Sequence, residues 1–514
     1  MSSPTSSAGE AHPLAGWHPE PALIDLREPA ARAELDRLGR LAWELALDYV
    51  LGEALRRPVG PEGYLELREV MFGRDGLPAP APAAPARSEA VLGEVRERLC
   101  RHLYNSQHPR SFSYFTPPPL AMSVVGELLA QWFHQGVDVF HAGPVAALVE
   151  EEVTGWLRDL VGAPAGSFGV LTSGGVMANL MALAVARDRR LAALAELPEG
   201  VVPRGAVLER ARAYASDQAH FSISRALDVL GFPPEALVVV DSDERFRLQA
   251  GPVAERVAAD RAKGLVPFLV AAVAGSTNTG SVDDVPGLAA LARRERLWLH
   301  VDAAYGGAAR LSRRDAGRVP GLELADSVTI DPHKWFSQGY DIGALVVRRR
   351  EDLHRTFHRS PEYYRSARPE EEPLNWLEYS IEGTRRFRAL KLWMSWKHLG
   401  TEGLGRLVEA NNDVAAALAT EIASSPDFEA ALAVPELSVV CFRHRPGALA
   451  DGPELDEHQD RLQRALERSG EAWVSTTRLR GRTWLRAGVM NPMTTRDDAS
   501  SLLASLRRLS SSWP

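Results

Sequence analysis

Short apolar runs alternate with helix-like segments through the middle of the chain, and this pattern constrains the fold more than any other feature. The runs at 213–216, 236–240, 265–274, 297–301, 327–330 and 344–347 are mostly rich in apolar or β-branched residues. Segments with helical character, 222–230, 252–263 and 285–295, separate most of them. Strands that are apolar on both faces belong between two layers of helices. The pattern therefore predicts an α/β fold with a mainly parallel sheet covered on both faces.

In such sheets ligands bind at the carboxyl ends of the strands. The polar residues fall at those ends. Asp217, Gln218 and His220 follow the first run, and Ser276, Thr277 and Asn278 follow the third. Asp302 ends the fourth, and His333 and Lys334 follow the fifth. A carboxylate at the end of an apolar strand is costly unless it meets a cation, and a protonated pyridine nitrogen would be such a partner. Ala303 and Ala304 are small enough for a flat ring to lie against the backbone, and His220 could cover its other face. Pro332 stops the fifth strand, and Lys334 follows between His333 and Trp335. A lysine among aromatic and apolar neighbours is disfavoured as a cation, so its pKa should fall toward neutrality, as a Schiff-base amine requires. Upstream, Ser173-Gly174-Gly175 is a tight turn into a helix expected to start near Val176. Its free N–H groups and helix end suit an anion such as phosphate.

The flanking sequence is less specific. Residues 1–20 are expected to be a tail. Apolar positions at helical spacing predict a helix over 30–57 whose apolar face needs a partner, 77–86 is a stiff Pro/Ala linker, and a further helix is expected over 89–103. Prolines make 108–119 irregular, and its aromatic residues could line a pocket. Helices are expected over 120–135 and 143–161. The C-terminal stretch from about 399 reads as a smaller α/β domain, with strands at 437–443 and 483–489 and a helix over 497–509. A net charge of −8 without a basic block argues against nucleic acid as a partner. No apolar run reaches the length of a membrane span, and the N-terminus lacks the pattern of a secretory signal. The two cysteines, Cys100 and Cys441, form no metal-ligand pair, so a reducing cytoplasm is the expected address and no metal is expected. His354 and His358 share a helix face, but no neighbouring third ligand supports a metal site, and a solvated face is the simpler reading.

Taken together, seven motifs closely resemble the pyridoxal-phosphate-dependent group II decarboxylases, the family of aromatic-L-amino-acid, histidine and glutamate decarboxylases. They are His108-Pro109 with Tyr114-Phe115, Thr172–Gly175, Ser216–His220, Gly275–Thr277, His300–Tyr305, Asp331–Trp335 and Arg385–Arg388. They occur in the family's order across nearly the whole chain. The resemblance implies fold type I with a seven-stranded, mainly parallel sheet, and a homodimer with active sites at the subunit interface. It implies an N-terminal helical segment (21–115) packing on the partner subunit, a large cofactor-binding domain (116–395) and a small C-terminal domain (396–514). By position it makes Lys334 the Schiff-base lysine, Asp302 the partner of the pyridine nitrogen, and His220 the ring-stacking residue opposite Ala304. Ser173, Gly174, Gly175 and His333 fall on the phosphate side, with Thr277 near the ring oxygen. Tyr363 matches the loop tyrosine that protonates the substrate carbon, with Tyr364 its neighbour.

The substrate side departs from the family pattern. Val176 stands where relatives often have a hydroxyl residue, and the usual Phe-Pro reads Phe115-Thr116-Pro117. Asp138 lies near a position that is aromatic in animal aromatic decarboxylases, and reads either as a solvated loop residue or as a pocket acid. Tyr114, Phe115, Thr116, Asp138 and Arg386 are the candidate substrate contacts. The resemblance favours decarboxylation of an aromatic L-amino acid (tryptophan, tyrosine, dopa or phenylalanine). A decarboxylase of glutamate or diaminobutyrate, an aldehyde synthase carrying out oxidative decarboxylation-deamination, and a non-catalytic homologue are the alternatives. Aldehyde synthases of the family typically carry phenylalanine at the loop-tyrosine position, so Tyr363 favours simple decarboxylation.

Overall fold

The computed structural model describes residues 18–60, 62–359, 373–447 and 449–513. Tyr363, Tyr364 and residues 1–17 of the expected tail lie outside them. The chain forms two compact units, one of residues up to Ser111 together with Arg464–Trp473, the other of Phe112–Gln463 and Val474 onward.

The first unit contains helices α1 (Ala31–Leu51), α2 (Tyr64–Phe72) and α3 (Ser88–Glu94). The sequence did not signal α2. The expected helix over 89–103 is broken up: α3 runs into a π-helical turn at Val95–Leu99 and a 3-10 turn at Cys100–His102. Glu20 is buried and accepts from the Ser88 backbone N–H at 2.6 Å, while also pairing with Arg37, so the chain is anchored from there onward. Within α1 only Ala31 and Leu45 are buried, and Trp43, Leu47 and Leu51 remain exposed.

The second unit is built on a seven-stranded sheet. Its strands are β1 (Phe168–Thr172), β2 (Ala211–Ser216), β3 (Leu237–Val240), β4 (Val266–Val273), β5 (Trp298–Asp302), β6 (Ser327–Ile330) and β7 (Gly343–Val347). Their order across the sheet is β1-β7-β6-β5-β4-β2-β3. All run parallel except β7, which pairs antiparallel with β1 and β6. The central strands β5 and β6 are buried at every position, although each carries two polar residues, His300 and Asp302 in β5 and Ser327 and Thr329 in β6. Helices α4 (Ala121–Phe133), α5 (Pro144–Leu160) and α6 (Gly175–Ala186) lie near the expected limits. The core is dominated by Val, Leu, Ile and Ala from the sheet and from α6, eight of whose twelve residues are buried.

A second, antiparallel sheet of order β10-β11-β9-β8 comprises β8 (Phe428–Ala430), β9 (Val439–His444), β10 (Ser475–Leu479) and β11 (Arg482–Gly488). It follows a long helix, Ala389–Ala423, kinked at Gly400, whose φ of 66° is not helical. Helix Arg496–Ser511 closes the unit, capped by Thr495, which accepts from the Asp498 N–H.

Candidate active site

Five strand ends converge. β1 delivers Ser173, Gly174 and Gly175; β2 delivers His220; β4 delivers Gly275 and Thr277; β5 ends on Asp302 and Ala304; β6 leads into Asp331, His333 and Lys334. All of these line one cavity of about 400 Å³, together with Asn179, Phe221, Tyr305 and Tyr340. Every residue expected at the cofactor is therefore on its wall.

The turn after β1 explains its glycines. Gly174 has φ +154°, and a Cβ on Gly175 would stand 2.8 Å from the Asp331 carboxylate. Gly343, which opens β7 opposite Thr172, leaves so little room that its own Cβ would come within 2.5 Å of Gly174 Cα. The chain thus holds open a backbone cradle at the N-terminus of α6, where free N–H groups suit an anion.

Asp302 is held from two sides. Ala304 N–H donates to Oδ1 at 3.1 Å and Asn179 Nδ2 to Oδ2 at 2.8 Å. Asn179, on α6, is a hub that sequence reasoning missed. Its Nδ2 also donates to Ser222 Oγ at 2.7 Å, and its Oδ1 accepts from Thr329 Oγ1 at 2.7 Å and faces His300 Nε2 at 3.0 Å. A neutral His300 protonated on Nε2, with Nδ1 accepting from Ser327 Oγ at 2.9 Å, fits these hydrogen bonds; that hydroxyl itself accepts from Trp298 Nε1. Burial pushes His300 down to about 4, consistent with that neutral ring. The signal for Asn179 was present as a lone amide in an otherwise apolar helical run.

His220 Nδ1 meets Ser222 Oγ at 2.8 Å. Burial lowers its pKa, with Asp302 acting in the opposite direction. His333 is likewise lowered by burial, against the pull of Asp331. Lys334 differs from the expectation of wholly apolar and aromatic surroundings, because its Nζ lies 3.2 Å from Asp331 Oδ2. Asp331 is buried, and its Oδ1 has no hydrogen-bond partner.

The candidate substrate residues sit outside this wall. Phe115 stacks on Tyr305 at 4.4 Å, and Tyr305 stacks on Trp335 at 4.8 Å, so Phe115 backs a wall residue. Thr116 Oγ1 lies 3.2 Å from the Tyr340 hydroxyl, and Tyr114 is exposed. Asp138 is half-buried, its carbonyl accepting from the Leu377 N–H at 3.0 Å. Arg386 pairs with Asp341 at 3.0 Å and also with Glu127. Arg486, which the sequence did not single out, is buried with its guanidinium 4.5 Å from the Phe115 ring. Its Nε donates to the Thr277 carbonyl at 2.7 Å and its Nη1 to the Ser113 carbonyl at 2.8 Å, while Nη2 has no partner.

Residues 72–445 match the model of the pyridoxal-dependent decarboxylase conserved domain. The chain belongs to this family. It is a pyridoxal-phosphate-dependent amino acid decarboxylase, a carbon–carbon lyase. Among curated relatives, the aromatic-L-amino-acid decarboxylase of Bacillus atrophaeus is 32% identical over 93% of this chain and 95% of its own length. The L-2,4-diaminobutyrate decarboxylase of Acinetobacter baumannii is 30% identical over 77% of this chain and 79% of its own. Among solved structures, Oryza sativa TDC with PLP and tryptamine superposes with a TM-score of 0.86 at 27% identity, covering 94% of this chain and 99% of that one. The residues present fit the family's cofactor: a glycine cradle that any Cβ would fill, a doubly held carboxylate at a strand end, and a cavity-facing lysine.

Proposed function

We propose that this decarboxylase acts on an aromatic L-amino acid, releasing CO₂ and the corresponding amine. The observation that carries the reading is the character of the cavity wall. Phe221, Tyr305 and Tyr340 contribute rings, and among the described residues the only acids on the wall are Asp302 and Asp331. Asp302 is committed to Asn179 and to the Ala304 N–H, and Asp331 faces Lys334. A diaminobutyrate side chain would need a carboxylate for its ammonium group, and both acids on this wall already have partners.

Bound pyridoxal phosphate supplies an aldehyde and a protonated ring that takes up the electrons left as CO₂ departs. Lys334 would hold the aldehyde through Nζ. Asp302 would keep a proton on the pyridine nitrogen, and the Asn179 hub would aim its carboxylate. His220 and Ala304 would bound the two faces of the ring. Ser173, Gly174, Gly175 and His333 would take the phosphate side, with Thr277 near the ring oxygen. Arg386 is already engaged by two carboxylates, whereas Arg486 keeps one N–H unspent beside Thr277. Arg486 is therefore the better candidate for the substrate carboxylate. Tyr363, by resemblance, would deliver the proton to the substrate Cα, which favours amine over aldehyde as product.

The exposed apolar residues of α1, Trp43, Leu47 and Leu51, support a homodimer. Two free cysteines are compatible with a reducing cytoplasm. Among the described residues, no helix is long and apolar enough to cross a membrane. CO₂ release from tryptophan, tyrosine, dopa, phenylalanine, histidine, glutamate and diaminobutyrate, with amine and aldehyde both quantified, tests the reading. Fastest turnover of an aromatic substrate to amine is expected. Preference for diaminobutyrate or glutamate, or aldehyde as the main product, would refute it.

A further inference from the structure

Away from the active-site cavity, the structure gives His354 and His358 the third ligand that the local sequence lacks. Helix Arg350–Phe357 carries His354, and His358 is its C-terminal cap, so the two rings lie one turn apart with centroids 4.3 Å from each other. Glu378, on the 3-10 turn Trp376–Tyr379, comes up against both. Its Oε2 is 3.6 Å from His354 Nε2 and 3.8 Å from His358 Nδ1, and the three donor atoms all lie within 4.8 Å of one another. These separations are too long for hydrogen bonds. His358 Nδ1 is buried and has no hydrogen-bond partner. A ring nitrogen is thus shielded from solvent beside a carboxylate without being hydrogen-bonded.

We propose that His354, His358 and Glu378 form a binding site for a divalent transition metal of the zinc class, completed by water. Two imidazoles and one carboxylate are a zinc-type donor set. Metal–ligand bonds of about 2.0–2.2 Å in a tetrahedron put neighbouring donor atoms about 3.3 Å apart. The three side chains need to close in by only a few tenths of an ångström to about 1.5 Å. Their exposures of 38%, 40% and 20% leave them free to do so. A cavity of about 260 Å³ opens on both histidines, with room for the water. Of the nearby cations, Arg350 donates to the Tyr379 hydroxyl, Arg355 pairs with Glu199, Arg189 pairs with Asp352 and Arg359 donates to the His358 carbonyl.

The test is a Zn²⁺ titration of the tag-free, metal-stripped holoenzyme against a chromophoric chelator. One equivalent per chain is expected. Glu378→Gln and His358→Ala should each weaken binding by at least the roughly 10–100-fold that follows loss of even an outer partner. His141→Ala, a change at an unrelated exposed histidine, should leave binding unchanged. X-ray absorption on the wild-type protein loaded with one Zn²⁺ should show two imidazole nitrogens near 2.0–2.1 Å plus oxygen, independent of any variant's folding. No saturable equivalent, undiminished binding in both variants, or a shell without two imidazoles would overturn the proposal.

Discussion

Replacing Asn179 by alanine probes whether the hub behind Asp302 matters as the geometry says. The side chain is almost wholly buried and serves four groups: Asp302, Ser222, Thr329 and His300. Alanine leaves each of them short of one partner. A buried polar group left unsatisfied costs about 1–3 kcal/mol, and the vacated volume is large enough for a water to rescue some of them. With two of the four rescued, the cofactor-free protein should lose about 2–6 kcal/mol of stability. The carboxylate, now held only by the Ala304 N–H, should also aim less well, weakening cofactor binding by about tenfold, or ~1.4 kcal/mol. Urea unfolding of the cofactor-free chain gives the first quantity and equilibrium dialysis of pyridoxal phosphate the second. A stability loss below about 1 kcal/mol together with unchanged cofactor affinity would refute the reasoning.

Two neighbours of the site give further outcomes, Gly343 beside Gly174 and His300 beside Asn179. Gly343→Ala should cost about 1–3 kcal/mol in urea unfolding, because the new methyl meets backbone, Gly174 Cα at 2.5 Å, which cannot swing aside; a neutral effect would contradict the close approach. His300 should make the protein acid-sensitive. Its ring titrates near 6.5 when unfolded but only near about 4 when folded, so the unfolded state binds the extra proton between those values. Its contribution is therefore intact above about pH 6.5 and lost as pH falls toward 4, at most ~3 kcal/mol for this one residue. A pH series of unfolding curves on His300→Gln against wild type should show the variant with the flatter acid slope, and equal slopes would count against the assignment.

Much of this architecture was legible in the sequence. The strands of the large sheet that were expected end within two residues of their predicted limits, because runs buried on both faces carry a strong, continuous apolar signal. The polar residues after those runs were legible for the same reason, since a charged group at the end of such a run stands out. The reversed direction of β7 was not foreseen. It follows from the link between Ile330 and Gly343, which holds no helix to make a parallel crossover. Asn179 reads in sequence as a polar blemish in an apolar helix, and its four partners lie 43 to 150 positions away. Arg486 sits in a short strand of the second sheet, with nothing local to mark it. Glu378 reaches the histidine pair from a separate turn, which is why spacing alone argued against a metal there. Asp331 lay in view beside Lys334, but the contact between them depends on how the chain turns after β6.

One lysine must carry the cofactor. The chain has four: Lys263, Lys334, Lys391 and Lys397. Acidity alone would nominate Lys391, which burial pushes down to about 7, but its Nζ faces Glu127 at 2.9 Å and it is not on the cavity wall. Geometry nominates Lys334. Borohydride reduction of the holoenzyme followed by peptide mass spectrometry decides between them. A single pyridoxyl adduct is expected on the peptide containing Lys334, absent in Lys334→Ala. An adduct on Lys391 or either other lysine, or none in the wild-type protein, would contradict it.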